Sequence, residues 1–441
     1  MISELECKLD SFDWQQRKEA LDLLLEKVGD GSVVFGERSN YVNLHCHTFF
    51  SYNCYGYSPS KFAWLARKAG LAVAGVVDFD VLDGLEEFLE TSRKLGLKTC
   101  VGMETRVFVP EFSDRVINSP GEPGISYHMG MGFPKAELKD EQEMFLQSLG
   151  QTAQQRNREL MERVNNYLKP VELEYEKDVS PLTPSGNATE RHICLAYARK
   201  AKKVFKQTEA LARFWSKKLG VEAEPLVLPE GRELLNTIRA KTMKRGGVGY
   251  VMPDTGSFPL MADTNRFVLA AGGIPTMTWL DGTSEGEQTI EELVEVAVSC
   301  GAAAINIIPD RNYKPGVKDK KLENLYNVVE LAEKRNLPIV VGTEMNSPGQ
   351  KFVDSFDTEE LSGLVPIFLK GAHIVYAHSV LQQKCGLGYT SKWAEKIFQS
   401  TAEKNKFFES LGSLLEPEDE EKITGLSPDV TAGKILDMVK G

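Results

Sequence analysis

Apolar runs rich in β-branched residues alternate along the chain with segments that carry hydrophobic residues at helical spacing. One such segment follows Ser58 and Pro59, which supply an N-cap and a first-turn proline. Strands that alternate with helices indicate a parallel sheet, and seven or eight such units are enough to close a barrel. We therefore predict an α/β fold, a TIM-like barrel. The predicted strands are YVNLHCH (41–47), GLAVAGVVDFD (70–80), KTCVGMETRVF (98–108), ISYHMGMGF (125–133), GGIPTMTWL (272–280), GAAAINIIP (301–309), LPIVVGTEM (337–345) and GAHIVYAH (371–378).

The alternation is interrupted once, which sets the predicted domain boundaries. Polar helical segments such as QQRNRELMERVNNYL replace the strand–helix pattern between about 135 and 265, and this change predicts a helical insertion. The predicted parts are an N-terminal helical segment at 1–40, the first part of the barrel at 41–134, the insertion at 135–265, the second part of the barrel at 266–414 and a charged, solvated tail at 415–441.

Composition narrows the class of partner. The chain has 441 residues, of which 42% are hydrophobic, and a formal net charge of -11 from 52 basic and 63 acidic side chains. An acidic chain without a basic run argues against nucleic acid and anionic membranes, and favours a small-molecule substrate in a local pocket. The start, MISELECKLD, lacks the basic and apolar segments of a signal peptide, and no stretch approaches a membrane span, so we expect a cytoplasmic protein. These features leave the oligomeric state open.

Polar residues at the predicted strand ends are the candidate chemistry, because active sites of α/β barrels lie at the carboxyl ends of the strands. His45 and His47 end the first strand, and alternation points both imidazoles to the same side. Imidazole and carboxylate ligands together suit zinc, manganese or iron, so we predict a metal site. The remaining candidates are Asp78, Glu104, His128 and Glu344 on or after later strands, and His192 at the start of a predicted helix.

The order of these motifs resembles the polymerase and histidinol phosphatase (PHP) family of metal-dependent phosphoesterases. The resemblance rests on HCHT (45–48), VGMET (101–105), a lone strand histidine and TERHI (189–193), and covers roughly residues 41 to 350. It implies a distorted (β/α)7 barrel. It also implies a first metal held by His45, His47, Glu104 and Glu344, and a second metal that Glu104 bridges and that His128 and His192 hold.

A third metal of the family lacks good ligands in this chain, because its positions correspond to Tyr52, Phe79 and Asn346. We therefore expect two divalent transition-metal ions, zinc, manganese or iron. The resemblance implies hydrolysis of a small phosphate ester by a hydroxide that bridges them, with Asp78 and Glu104 as candidate catalytic carboxylates and Arg311 or Arg191 as a phosphate clamp. Two alternatives stay open: hydrolysis of an amide or lactone on the same fold, and a protein that binds a small ligand without turnover.

Overall fold

The computed structural model describes residues 2–221, 231–254, 256–317 and 319–440, and these residues form two compact units. The first unit comprises 1–48, 53–145 and 258–441, and the second comprises 49–52 and 146–257. Residues 222–230 and 255 of the predicted insertion lie outside the described ranges. None of the described helices is long and apolar enough to cross a membrane.

The first unit contains a seven-stranded sheet in which the strands follow one another in sequence order. Parallel pairing joins the first three strands and the last three, whereas the fourth strand is antiparallel to both of its neighbours. The strands are β1 (Val42–Cys46), β2 (Val73–Phe79), β3 (Lys98–Phe108), β4 (Ile125–Met131), β5 (Ile274–Trp279), β6 (Ala304–Ile307) and β7 (Ile339–Val341).

The described residues also contain seventeen α-helices, several of which begin at a side-chain cap. Ser58, for example, accepts a hydrogen bond from the Lys61 amide. The helices are α1 (Ile2–Lys8), α2 (Trp14–Gly29), α3 (Pro59–Lys68), α4 (Leu85–Lys94), α5 (Asp140–Leu168), α6 (Glu190–Val204), α7 (Thr208–Leu219), α8 (Arg232–Thr242), α9 (Met261–Ala270), α10 (Glu285–Gln288), α11 (Ile290–Ser299), α12 (Lys320–Lys334), α13 (Glu359–Ser362), α14 (Val365–Cys385), α15 (Lys392–Ile397), α16 (Thr401–Leu414) and α17 (Ala432–Lys440).

The two ends of the sheet meet, so that the sheet is nearly closed into a barrel. Glu344, just after β7, donates its amide hydrogen to His45 O at 2.7 Å and accepts from the His47 amide at 2.8 Å. Gly342 allows this approach, because a Cβ atom there would overlap the backbone of His45. The α/β barrel class predicted from the alternation is confirmed.

The antiparallel placement of β4 differs from the wholly parallel sheet expected from the alternation. Only a single 3₁₀ turn, Pro110–Phe112, lies between β3 and β4. A parallel crossover usually includes an α-helix that covers the sheet, and residues 109–124 form none, so the chain returns as an antiparallel pair instead.

The predicted eighth strand, GAHIVYAH, is wrong, because these residues lie in the middle of helix α14. This helix is buried on almost every side and packs against α16, β7 and the beginnings of the first three strands. A helix that is apolar all round gives no 3.6-residue pattern, so its sequence cannot be distinguished from a buried strand. His373 and His378, which lie in this segment, are therefore helical.

The C-terminal residues also differ from the solvated tail expected after residue 415. A 3₁₀ segment, Pro417–Ile423, and helix α17 follow, and Ile423, Ile435 and Val439 are buried in the main hydrophobic cluster. The acidic run EPEDEE is typical of a solvent-exposed segment, so the sequence gives no sign of this burial. One member of the run, Glu420, is itself buried and accepts a hydrogen bond from Tyr376 Oη at 2.9 Å.

The second unit is helical and has a core of its own. Helix α5 continues into it, and α6, α7 and α8 lie within it. Val164, Tyr197, Trp215 and Ile238 belong to a buried apolar cluster separate from the barrel core.

Candidate metal centre

Two histidines and one glutamate meet where β1 ends and where Glu104, within β3, lies level with the carboxyl end of β2. His45 Nε2 lies 3.5 Å from Glu104 Oε2, and His47 Nε2 lies 3.2 Å from the same oxygen. All three side chains are buried, with at most 2% of their surface exposed. In the described part of the chain this is the group in which three potential metal-ligand atoms lie within 4.8 Å of one another.

The charges within this group are strongly coupled. Burial alone would raise the pKa of the Glu104 carboxyl, but the hydrogen bonds and charges of His45 and His47 outweigh burial and lower the pKa to about 2. Burial lowers the pKa of His45, and Glu104 and Glu344 outweigh it, so the pKa of His45 is raised above its ordinary value. The group therefore holds a fixed negative charge on Glu104 that attracts a cation.

The spacing of these atoms fits a metal ion. Ligand bonds of about 2.1 Å in tetrahedral geometry place neighbouring donor atoms about 3.4 Å apart. The measured separations of 3.5 and 3.2 Å lie on either side of that value. Two imidazoles and a carboxylate are a donor set for zinc, manganese or iron, so these three residues fit the expected cofactor class.

Two neighbours orient the histidines. Asn306 on β6 places its Oδ1 atom 3.3 Å from His45 Nδ1, which leaves the Nε2 atom directed towards Glu104. The ring of Phe79, at the end of β2, stacks on His47 with ring centres 4.4 Å apart. A hydrogen bond to the second ring nitrogen is the usual way in which proteins orient a histidine ligand.

Glu344 lies beside the group but has other partners. Its Oε2 atom accepts hydrogen bonds from Arg311 Nη2 at 2.9 Å and from Gln350 Nε2 at 2.8 Å. Glu344 and Met345 adopt left-handed backbone conformations, with φ of 58° and 53°. Glu344, which the resemblance implies as a ligand of the first metal, thus forms an ion pair with Arg311. The side chain of Arg311 is 42% exposed.

The structure does not bring His128 to this group. In the antiparallel pair of β3 and β4, Glu104 lies opposite Met129, whereas His128 lies opposite Thr105. Because successive residues of a strand face opposite sides, His128 points away from the face that carries Glu104. Its Nε2 atom lies 2.5 Å from Asn265 Oδ1 on α9, and burial lowers the pKa of His128 to about 4.

Arg191 and His192 open helix α6 in the second unit. His192 Nδ1 accepts a hydrogen bond from the Thr189 amide at 3.1 Å, and burial lowers the pKa of this histidine to about 3. Tyr52 meets the His192 ring edge to face at 5.0 Å. Arg191 Nη1 donates to Asn236 Oδ1 at 2.5 Å. The predicted roles of Arg191 and His192 towards a metal or phosphate stay predictions.

Asp78 and Arg106 have local partners. Asp78 accepts hydrogen bonds from the amide and the hydroxyl of Thr48, at 2.8 and 2.6 Å, so its carboxylate holds the turn that follows HCH. Arg106 forms an ion pair with Glu122 at 3.0 Å and lies over the ring of Phe258. The contacts with Thr48 give Asp78 a positioning role, and the catalytic role expected for it stays a prediction.

Sequence reasoning missed three residues on the face that carries Glu104. Asn306 is predictable in principle, because a lone amide in the apolar run AINIIP would be buried and would need a polar partner. Thr278 on β5 lies opposite Asn306, and Tyr127 on β4 lies two residues from Met129 and shares its face. No local pattern distinguishes the latter two from ordinary strand residues.

The fold and this group define an α/β protein with a mostly parallel, nearly closed seven-stranded sheet and a buried His-His-Glu group at its carboxyl edge. No protein-family model matches the chain, and no curated protein matches it. Solved structures that are similar include an amidohydrolase from Chromobacterium violaceum, with bound sulfate and no metal, at 17% identity and a TM-score of 0.48 over 70% of this chain and 88% of that one. Another is a protein from Bifidobacterium adolescentis, provisionally assigned as a metal-dependent phosphoesterase, at 15% identity and a TM-score of 0.49 over 74% of this chain and 96% of that one.

Proposed function

We propose that this chain is a metal-dependent hydrolase that cleaves a small phosphate ester. The observation that carries the proposal is the buried group of His45, His47 and Glu104, whose donor atoms are spaced for one divalent cation. Buried ionisable residues with strongly shifted pKa values at the carboxyl edge of a barrel favour a functional site over a structural one.

His45, His47 and Glu104 would hold a zinc, manganese or iron ion. When bound, such an ion would polarise an oxygen of the substrate and generate hydroxide from water near neutral pH. Glu104 would offset part of the added positive charge. Asn306 keeps His45 in the orientation in which Nε2 is the ligand atom, and the Phe79 ring covers one face of His47 and excludes water there.

Arg311 favours a phosphate ester over an uncharged substrate. A guanidinium offers five N–H donors in a planar fork that matches phosphate oxygens, and the described ion pair with Glu344 uses one of its nitrogen atoms, Nη2. Its partly exposed side chain lies in the 3₁₀ turn Pro309–Arg311 directly after β6, the strand that carries Asn306. Glu344 is then a positioning residue that holds the clamp.

The proposal needs one cation, whereas the family resemblance implied two. The second ion depended on His128, which faces the opposite side of the sheet, and on His192, which belongs to the second unit. A hydroxide that bridges two metals is therefore not part of the proposal, and the number of metals stays open to measurement. The net charge of -11 supports a small-molecule substrate over nucleic acid.

The test is reconstitution. Chelator-treated protein is loaded separately with manganese, zinc and iron, and is assayed on phosphate monoesters, a diester, an uncharged ester, a lactone and an amide. We expect metal-dependent hydrolysis of a phosphate ester and its loss in His47→Ala, while His373→Gln on α14 is the matched histidine control. Hydrolysis confined to the amide or lactone would favour the alternative hydrolase, and failure to take up metal would refute the proposal.

A further inference from the structure

Two buried hydrogen-bond donors on neighbouring strands, one of them on the residue that contacts His45, have no partner among the described residues. They are the hydroxyl Oγ1 of Thr278 and the amide Nδ2 of Asn306. Thr278 is 1% exposed and Asn306 is completely buried. Native proteins pair more than about 90% of such buried groups, so two together at one place call for an explanation.

The sheet register places both donors on one face. Thr278 on β5 and Asn306 on β6 are direct partners in the parallel ladder. Pairing from Glu104 to Met129 and from Met129 to Thr276 shows that this face of β5 is the one that carries Glu104. Thr278 follows Thr276 by two residues and faces the same way. Both donors therefore lie on the face that carries Glu104, towards the carboxyl ends of their own strands.

The orientation of the Asn306 amide follows from its contact with His45. If His45 Nε2 is the ligand atom, Nδ1 carries the ring proton and donates it to Asn306 Oδ1, which lies at 3.3 Å. The Nδ2 group is then turned away from His45, with its two N–H bonds available inside the barrel. Metal binding at His45 thus fixes the direction in which Asn306 donates.

We infer that Thr278 and Asn306 form a subsite for one oxygen of the substrate's phosphoryl group. The inference rests on the proposed function and specifies where the substrate's charge is held. A hydroxyl and an amide N–H group that both donate suit an anionic oxygen. Donors fixed in advance, in a site without bulk water, are the arrangement that stabilises negative charge as it develops during hydrolysis.

The subsite divides the phosphoryl contacts between two sides. Arg311 follows Asn306 by five residues, after the same strand, and supplies a full positive charge at the partly exposed rim. Thr278 and Asn306 supply neutral donors at the buried end. A phosphate ester whose three terminal oxygens are shared in this way would enter with its organic group towards the exposed side.

The test compares the same substitution at two positions of one strand. Thr278→Val removes the unpaired hydroxyl at nearly constant shape. Thr276→Val is the matched control, because the Thr276 hydroxyl is equally buried but already donates to Ile274 O at 3.0 Å. Thr278→Ser restores a hydroxyl, and Asn306→Asp removes the amide donor while keeping an acceptor for His45. The probe is inorganic phosphate, titrated calorimetrically into metal-loaded protein.

We expect Thr278→Val and Asn306→Asp to weaken phosphate binding by roughly 10-fold or more, which is the effect of a hydrogen bond to a charged group. Thr278→Ser should retain most of the affinity, and Thr276→Val all of it. In metal-free protein the two valine variants should differ in the opposite sense in their thermal stability. Thr276→Val should lower the melting temperature because it breaks a hydrogen bond, whereas Thr278→Val should not.

Unchanged phosphate affinity in both Thr278→Val and Asn306→Asp, with metal uptake and ester hydrolysis intact, would overturn the subsite alone. A crystal structure of the phosphate complex with an ordered water only between the two donors would do the same. Wild-type protein that takes up no metal and hydrolyses no ester would overturn both the subsite and the proposed function.

Discussion

Replacing Glu104 with glutamine is the most direct test of the candidate metal centre. The change removes one negative charge from a fully enclosed position and keeps the size of the side chain. Glutamine resembles the protonated form of glutamate, so the variant measures what the ionised carboxylate contributes.

The expected magnitude follows from the pKa of Glu104, which is about 2 in the fold against an ordinary 4.5. At about 1.4 kcal/mol for each pH unit, the difference corresponds to about 3 kcal/mol of stability in the metal-free protein. Because the folded-state pKa is lowered, this stability is present above pH 4.5 and is lost as the pH falls through about 2. Wild type and Glu104→Gln should therefore differ by about 3 kcal/mol near neutral pH, and the difference should shrink in acid.

The assay is urea denaturation of chelator-treated protein over a series of pH values, paired with metal titration against a chromophoric chelator. Loss of a group that only supports a metal ligand lowers affinity by roughly 10- to 100-fold. Loss of a direct carboxylate ligand should lower it at least as much. His373→Gln, a partly buried histidine on α14, should leave metal affinity unchanged.

Two results would refute the reasoning. Equal stability of wild type and Glu104→Gln at neutral pH would mean that the two imidazoles do not stabilise the carboxylate. Unchanged metal affinity in the variant would mean that Glu104 is not a ligand, whatever its effect on stability.

Three further outcomes are expected. Arg311→Ala should raise the KM for a phosphate ester more than the KM for an uncharged ester, and equal effects in steady-state kinetics would argue against a phosphate clamp. Metal affinity should increase as the pH rises through and above 6.5, because a proton on His45 competes with the cation. Glu104 and Glu344 outweigh burial and raise the pKa of His45 above its ordinary value. Calorimetry over a pH series measures this dependence. His128→Ala should destabilise the fold by about 2 kcal/mol or more, since it leaves a cavity and removes the partner of Asn265 Oδ1. Atomic absorption should nevertheless find the same metal content as in wild type.

Most strands and the central ligand pair are predictable from the sequence because the signals are local. Each of β1 to β7 is a short apolar run bounded by turn residues, and the two histidines of HCH share a face through alternation alone. Glu104 joins them because β1, β2 and β3 are consecutive parallel strands, and their register places Glu104 level with the carboxyl end of β2. For these elements the sequence contains the geometry.

Features that depend on direction or on complete burial are not predictable in this way. His128 lies on a strand, as expected, but its direction is set by the register of the antiparallel pair, and a shift by one residue would reverse it. Helix α14 is not recognised because burial on all sides removes the helical periodicity of its sequence. The C-terminal residues are not recognised as part of the core because their buried positions lie within and beside an acidic run.

Glu344 shows how a residue at a recognisable position acquires another partner. A glutamate is longer by one methylene than an aspartate, and here the backbone at Glu344 and Met345 is left-handed, with Glu344 paired to β1. The extended carboxylate accepts from Arg311, which is 33 residues earlier in the chain, and from Gln350. A carboxylate that neutralises a guanidinium contributes less negative charge to a cation nearby, so the ion pair with Arg311 disfavours Glu344 as a fourth protein ligand. A cation held by His45, His47 and Glu104 alone would keep coordination positions for water and substrate, which is the condition that distinguishes a catalytic metal site from a structural one.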